Sequence, residues 1–361
     1  MLRLFFIFAI LLTASAARAQ SDYEALNRAL TDEVAVPAYA RMAHAMTSLR
    51  EATAALCTDP NADRLGKAKD AFHAAMNAWQ RAQPINFGPV TDGGRTARIA
   101  FWPDKNGTAA RQVRRALKDQ DPALIADGGL DGKSVALQNL ATYERLVFGG
   151  GPGTSSQMAP VPDDRYACAL AAQIAAFQSR LAAEILEDWV KPEGFRDAIL
   201  TAAAGNAHYT AAKQPATDFL KSLTGALDSI VQLKLERPLG KEVARARPQL
   251  AESWRSARSL DNILANLETA RALYETPGAF GELLRASGAA ALDDGLRRDF
   301  AATIAVARAV TVPLRVAVGE PAHREKLVEL LERLKSLRLL IAGPVASEIG
   351  LVVGFNALDG D

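Results

Sequence analysis

The placement of proline constrains the fold of this chain more than any other feature. Proline removes an amide donor and breaks a helix interior. Residues 163–191, 249–276 and 278–312 contain none. Within the first window Tyr166, Leu170, Ile174, Phe177, Leu181 and Ile185 recur at three- and four-residue steps, the spacing of one helical face. Asp163 and Asp164 suit the start of that helix, and Pro192 ends it. Phe72, Met76 and Trp79 form a similar stripe ahead of Pro84. After Pro321, Leu327, Leu330, Leu331, Leu334 and Leu337 alternate with Glu and Arg/Lys pairs. Hydrophobic residues make up 49% of the chain, ample for packed cores, and period-two alternation is scarce. Residues 230–235 and 351–355 fit either strand or helix. The expected fold class is all-α.

The composition shifts abruptly at residues 149–162, GGGPGTSSQMAPVP. Such a segment cannot continue a helix and reads as a linker. It follows no strand and lacks the phosphate-loop lysine, so its glycines carry no nucleotide signal. The division predicted is a leader over 1–19, an N-terminal helical bundle over 20–158 and a C-terminal bundle over 159–361. A weak internal repeat agrees with two four-helix-bundle-like domains. Leu137, Asn139, Leu140, Thr142 and Leu146 match Leu264, Asn266, Leu267, Thr269 and Leu273 at a constant offset of 127. The same offset carries the helix near 22–56 onto that near 163–189. Chance likeness between leucine-rich helices is the competing explanation.

The N-terminus reads as an export signal. Arg3 supplies a positive start, residues 4–12 a short apolar core, and Ala17-Arg18-Ala19 a cleavage pattern before Gln20. The apolar run is too short to span a bilayer, and no cysteine follows it to carry a lipid. No later stretch is long and apolar enough to cross a membrane, so a periplasmic location is expected. Losing Arg3 and Arg18 leaves 40 basic groups against 41 acidic ones. Bulk charge therefore offers nothing to nucleic acid or anionic lipid. Arg111, Arg114 and Arg115 read as a solvated helix face. In an oxidising compartment the only cysteines, Cys57 and Cys168, are expected to form a disulfide, with two free thiols as the alternative. No Cys/His spacing suggests zinc or covalent haem.

One side chain breaks the local pattern. On a helix over 134–148, Leu137, Leu140, Ala141 and Phe148 share a face, and Glu144 lies near its centre. A carboxylate left charged and unpaired there would cost several kcal/mol. It must pair with a cation, bind a metal, or carry a raised pKa. Arg95 and Arg98 are the cations nearest in sequence. Trp79 reads as core. Trp102, between Phe101 and Pro103, reads equally as core or as a pocket wall. Asn139 and Asn266 read as buried hydrogen-bonding residues.

The segment Asn139-Leu140-Ala141-Thr142-Tyr143-Glu144, followed by Arg145-Leu146-Val147-Phe148-Gly149, resembles the G-x-H-x-x-E region of imelysin-like proteins. Trp79 ahead of Ile85-Asn86-Phe87-Gly88-Pro89 and Arg98-Ile99-Ala100-Phe101-Trp102-Pro103-Asp104 are similar to other segments of that family. So are residues 254–267 and the terminal residues 354–361. The resemblance spans essentially the whole mature chain. It implies two helical bundles, export, and a link to bacterial iron or haem acquisition; the family is also catalogued with metallopeptidases. The chain departs at a decisive place, since the motif histidine falls on Ala141 and the motif glycine on Asn139. Imidazole is a strong transition-metal ligand and a methyl group is none. Zinc hydrolysis usually needs three protein ligands, and His44, His73, His208 and His323 are scattered and read as surface or packing residues.

The resemblance thus implies a non-enzymatic accessory protein binding a ligand or partner between two bundles. Glu144 would be central, with Arg95, Arg98, Trp102 and Asp104 around it. Iron or another divalent metal is a candidate ligand, with Glu144 its one carried-over donor. Periplasmic or membrane-associated iron-uptake proteins are candidate partners. A metallopeptidase, and a structural module with Glu144 in a buried ion pair, are the alternatives.

Overall fold

The structure is a computed structural model that describes residues 22–149 and 161–352. The expected leader, residues 150–160 of the linker and residues 353–361 lie outside the described residues. Helix α1 comprises residues 22–30, a π-helical turn Thr31–Ala35 and the stretch Val36–Thr58. It is followed by α2 (Ala62–Ala82), α3 (Thr108–Asp119), α4 (Leu140–Phe148) and α5 (Arg165–Val190). Then come α6 (Lys213–Asp228), α7 (Ser259–Glu275), α8 (Ala290–Arg308) and α9 (Pro321–Leu340). No strand occurs among the described residues, and the fold is all-α.

Local chemistry sets the helix ends. The Asp164 carboxylate accepts from the backbone N–H of Tyr166 (2.8 Å) and Ala167 (3.1 Å), which satisfies orphan donors of the first turn of α5. The helix stops at Val190, ahead of Pro192. Asn61 caps α2 by accepting from Arg64 N–H at 2.9 Å. The proline-free window 278–312 is not one helix. A turn at Ser287-Gly288-Ala289, with Gly288 at φ +99°, separates the short helix Phe280–Ala286 from α8. The window 249–276 opens at the end of a 3-10 turn, Pro248–Leu250, and becomes α-helical only at Ser259. The ambiguous residues 230–235 lie in a π-helical extension of α6, Ser229–Glu236.

The helices form two four-membered groups. In the first, α1 packs on α2 and α5, and α4 closes the ring against α2 and α5. In the second, α7 packs on α6 and α8, and α9 closes against α8 and α6. The seam between the groups is chiefly α2 against α7. Phe72, Met76 and Trp79 of α2 are buried, as their spacing predicts; each such side chain contributes roughly 1.5–3 kcal/mol on leaving water.

Two expectations need correction. Because α5 packs along α1, the chain passes to the second group after Val190 and not at the 158/159 boundary. The 127-residue offset also joins segments with different roles. Asn139 caps α4, accepting from Thr142 N–H at 3.1 Å, whereas Asn266 lies inside α7 and donates across the seam to the Gln80 carbonyl at 2.5 Å. Helices α1 and α5, also matched by that offset, are neighbours within one group. Cys57 at the end of α1 and Cys168 in α5 form a disulfide with Cα atoms 5.5 Å apart.

Candidate functional site

Glu144 lies on α4 and is 2% exposed. It is turned toward the seam, at the wall of a cavity of about 520 Å³. The first group supplies Ala141, Glu144, Arg145 and the loop carrying Trp102, Asp104 and Lys105; the second supplies Arg237, Arg247 and residues 249–255. The site therefore belongs to neither group alone.

The partner of Glu144 is a loop rather than a cation. Its Oε1 accepts from the backbone N–H of Ser256 at 2.8 Å and from the Ser256 hydroxyl at 2.7 Å. Burial pushes its pKa up, only partly offset by those hydrogen bonds and by the nearby Arg255. The carboxyl thus tends to hold its proton above the usual carboxylate range.

The loop that brings Ser256 to Glu144 is itself strained. Ser253 (φ 51°) and Ala257 (φ 60°) both adopt the left-handed conformation, which costs a residue with a Cβ roughly 1–2 kcal/mol. Local hydrogen bonds hold the shape. Arg258 N–H donates to the Ser253 carbonyl at 3.1 Å, and the Ser259 hydroxyl donates to the Glu252 carbonyl at 2.6 Å.

The same loop carries Glu252, 4% exposed, into a second polar cluster. The Lys234 ammonium is 2.9 Å from Glu252 Oε2 and donates to Gln80 Oε1 (2.5 Å) and Gln83 Oε1 (2.9 Å). Gln80 Nε2 donates to Glu252 Oε1 at 3.0 Å, and Asn262 Nδ2 to Glu252 Oε2 at 3.1 Å. The alternative reading placed Glu144 in a buried ion pair, but the buried pair here is Lys234–Glu252, both from the second group; only its hydrogen bonds to Gln80 and Gln83 cross the seam. Burial lowers the Lys234 pKa, and Glu252 opposes that shift.

Of the expected site residues, Glu144, Trp102 and Asp104 share the cavity. Asp104 is already committed, its two oxygens accepting from Thr108 N–H (2.8 Å) and Ala109 N–H (2.9 Å) at the start of α3. Arg95 and Arg98 are elsewhere. Arg95 donates to Asp188 of α5 at 2.8 Å and to the Pro89 carbonyl at 3.0 Å. Arg98 donates to the Gly93 carbonyl at 3.2 Å. Both line a separate surface pocket with Asp92 and Glu184. The carboxylates of α5 draw Arg95 away from Glu144. Sequence reasoning missed Arg145, Arg237, Arg247, Glu252, Arg255 and Ser256. The one available signal was the segment from Trp254 onward, which carries part of the family resemblance.

The imelysin family model, Peptidase_M75, matches residues 35–341. The chain belongs to the imelysin family. Among curated proteins it is similar to the iron-regulated protein A of Synechococcus elongatus, 23% identical over 249 residues, or 67% of this chain. That alignment spans 62% of the relative's own length. Among solved structures it is similar to an imelysin-like protein from Psychrobacter arcticus 273-4, with TM-score 0.77, 19% identity, and coverage of 93% of this chain and 98% of that one. It is also similar to a protein of Parabacteroides distasonis ATCC 8503 described as an iron-regulated protein A precursor. There the TM-score is 0.75 at 19% identity, covering 91% and 95%. These likenesses establish the shared fold.

The donor set does not fit a resident metal at Glu144. The motif histidine is Ala141, Asp104 caps a helix, and Glu252 is engaged by Lys234, Gln80 and Asn262. None of the four histidines lines the cavity. Among the described residues no group of three or more His, Cys, Asp or Glu is placed to hold a metal ion.

Proposed function

We propose that this chain is an exported, periplasmic binding protein of bacterial iron acquisition, which takes its ligand in the cavity between the two helical groups and catalyses no reaction. Family membership and the likeness to iron-regulated protein A support the iron connection. The export pattern at the N-terminus and the Cys57–Cys168 disulfide support an oxidising compartment. The observation that carries the reading is a buried carboxyl, Glu144, at the wall of a cavity shared by both groups and held there by a strained loop. Strain of that kind gathers at binding sites, where it preorganises the ligand's contacts.

The test is calorimetric titration of the purified protein and its Glu144→Gln variant with iron salts, ferric citrate and haem. Binding of one of these with an affinity altered by the substitution is expected. Absence of binding to all of them would remove the ligand reading. A metallopeptidase of the family type would instead cleave an unfolded protein substrate in a chelator-sensitive way. The donor set described above gives that reading no support.

A further inference from the structure

The charges around the Glu144 cavity are lopsided. Its wall carries five basic side chains, Lys105, Arg145, Arg237, Arg247 and Arg255, against three acidic ones, Asp104, Glu144 and Glu252. The acidic ones are occupied. Asp104 binds two backbone N–H groups, Glu252 faces Lys234, and Glu144 is held by Ser256. The basic ones are not. Within the described residues none of the four guanidinium groups makes an ion pair or a hydrogen bond, although ion pairs are common elsewhere on the chain. Arg255 Nε is shut off from solvent with no acceptor. Its guanidinium lies 4.2 Å from the centre of the Trp254 ring, which fixes its plane by a cation–π contact. Arg145 and Arg255 also feel one another. Burial, with the Arg145 charge next in weight and Glu144 opposing both, pushes the Arg255 pKa down to about 10. Both feel the Glu144 carboxyl, and Arg145 also Asp104, but those carboxyl groups are engaged by Ser256 and by the N–H groups that start α3. Partly desolvated guanidinium groups without a direct acceptor therefore favour an added anion.

We infer that this cavity binds a small oxyanion with two or more negative charges, held by Arg145 and Arg255 beside Glu144 and by Arg237 and Arg247 toward the opening. The inference rests on the seam cavity being the ligand site, and it names the class of ligand. A cavity of about 520 Å³ is in the range of small-molecule sites. Planar, bidentate guanidinium groups suit carboxylate and phosphate oxygens and repel a bare cation. Iron would enter here already wrapped in an anionic oxygen-donor ligand, not as a free ion. Tryptophans at positions 102 and 254 supply apolar wall for the ligand's carbon skeleton.

Titration of the purified protein with citrate, inorganic phosphate and ferric citrate at low ionic strength tests this. Citrate or ferric citrate is expected to bind, and added sodium chloride to weaken binding. Arg145→Gln and Arg255→Gln should each weaken it by about tenfold or more, the usual loss of a charge-assisted contact. Arg98→Gln, outside the cavity, should change nothing, and thermal melting establishes that each variant is folded. Glu144→Gln discriminates most sharply. Removing a negative charge from the wall should tighten anion binding, whereas a metal held by that carboxylate would be lost. Phosphate binding without citrate binding, with the same arginine dependence, supports the oxyanion class with phosphate as its source. No binding of any of the three anions overturns the inference, as does binding indifferent to both arginine substitutions. Iron-salt binding that disappears in Glu144→Gln, with no anion binding, overturns it too while leaving the proposed iron-binding role standing.

Discussion

Two carboxylates meet the strained loop in opposite electrostatic settings. Glu144 has hydrogen-bond donors but no ion-pair partner within the described residues, and burial raises its pKa. A carboxyl that holds its proton more tightly when folded contributes stability at pH below the ordinary carboxylate range. That contribution is lost as pH rises through the raised value. Glu144→Gln keeps an oxygen able to accept from Ser256 and removes the charge. Its melting temperature should therefore gain on the parent as pH rises from 4 to 8, by calorimetry. A gap independent of pH would show that the carboxyl titrates normally. Glu252 is the opposite case, since its partner Lys234 is 2% exposed. Glu252→Ala should cost about 3–5 kcal/mol in urea unfolding, the usual penalty for stranding one half of a buried ion pair. Adding Lys234→Met should restore part of the loss.

At the scale of elements, the sequence was most legible where a helix is regular and its signals are local. The stripe from Tyr166 to Ile185, the cap at Asp164 and the stop before Pro192 each depend on residues a few positions apart. The burial of Glu144 was legible for the same reason, because its apolar neighbours lie one turn away. Its surroundings were not. Ser256 reaches it across 112 positions, and Gln80 meets Glu252 across 172. No periodicity encodes such pairings, and the loop 251–258 that makes them has no regular pattern of its own. Arg95 was misplaced on similar grounds, because its partner Asp188 is 93 residues away. Asp104 had a local role that spacing alone could have suggested, four residues ahead of Thr108 at the start of α3. Asp104→Ala should lower stability by about 1 kcal/mol, as loss of a helix-start acceptor does. The loss should be measurable by urea unfolding, and a neutral result would mean that α3 needs no such cap.

For the molecule as a whole, the division between groups follows packing and not composition. The Gly/Pro-rich linker joins α4 to α5 within one group, and the true crossing comes after Val190, where the sequence is less conspicuous. The disulfide sits wholly inside the first group, tying α1 to α5 across a separation of 111 residues. Replacing both cysteines by serine should cost about 2–5 kcal/mol and lower the urea midpoint. The wild-type protein treated with reductant should shift in the same way.

Helix α1, with its π-helical turn, is about 55 Å long at 1.5 Å per residue, and its first turns leave the group to which the rest belongs. The Tyr23 hydroxyl donates to the Ile349 carbonyl at 2.7 Å, and Asn27 Nδ2 to the Ala212 carbonyl at 2.8 Å. A single rod is thus pinned in both halves, like a splint laid across a joint. A molecule braced in this way has little freedom to open and shut around its cargo. Its cradle is ready-made, and the free and loaded forms should give superimposable X-ray scattering curves.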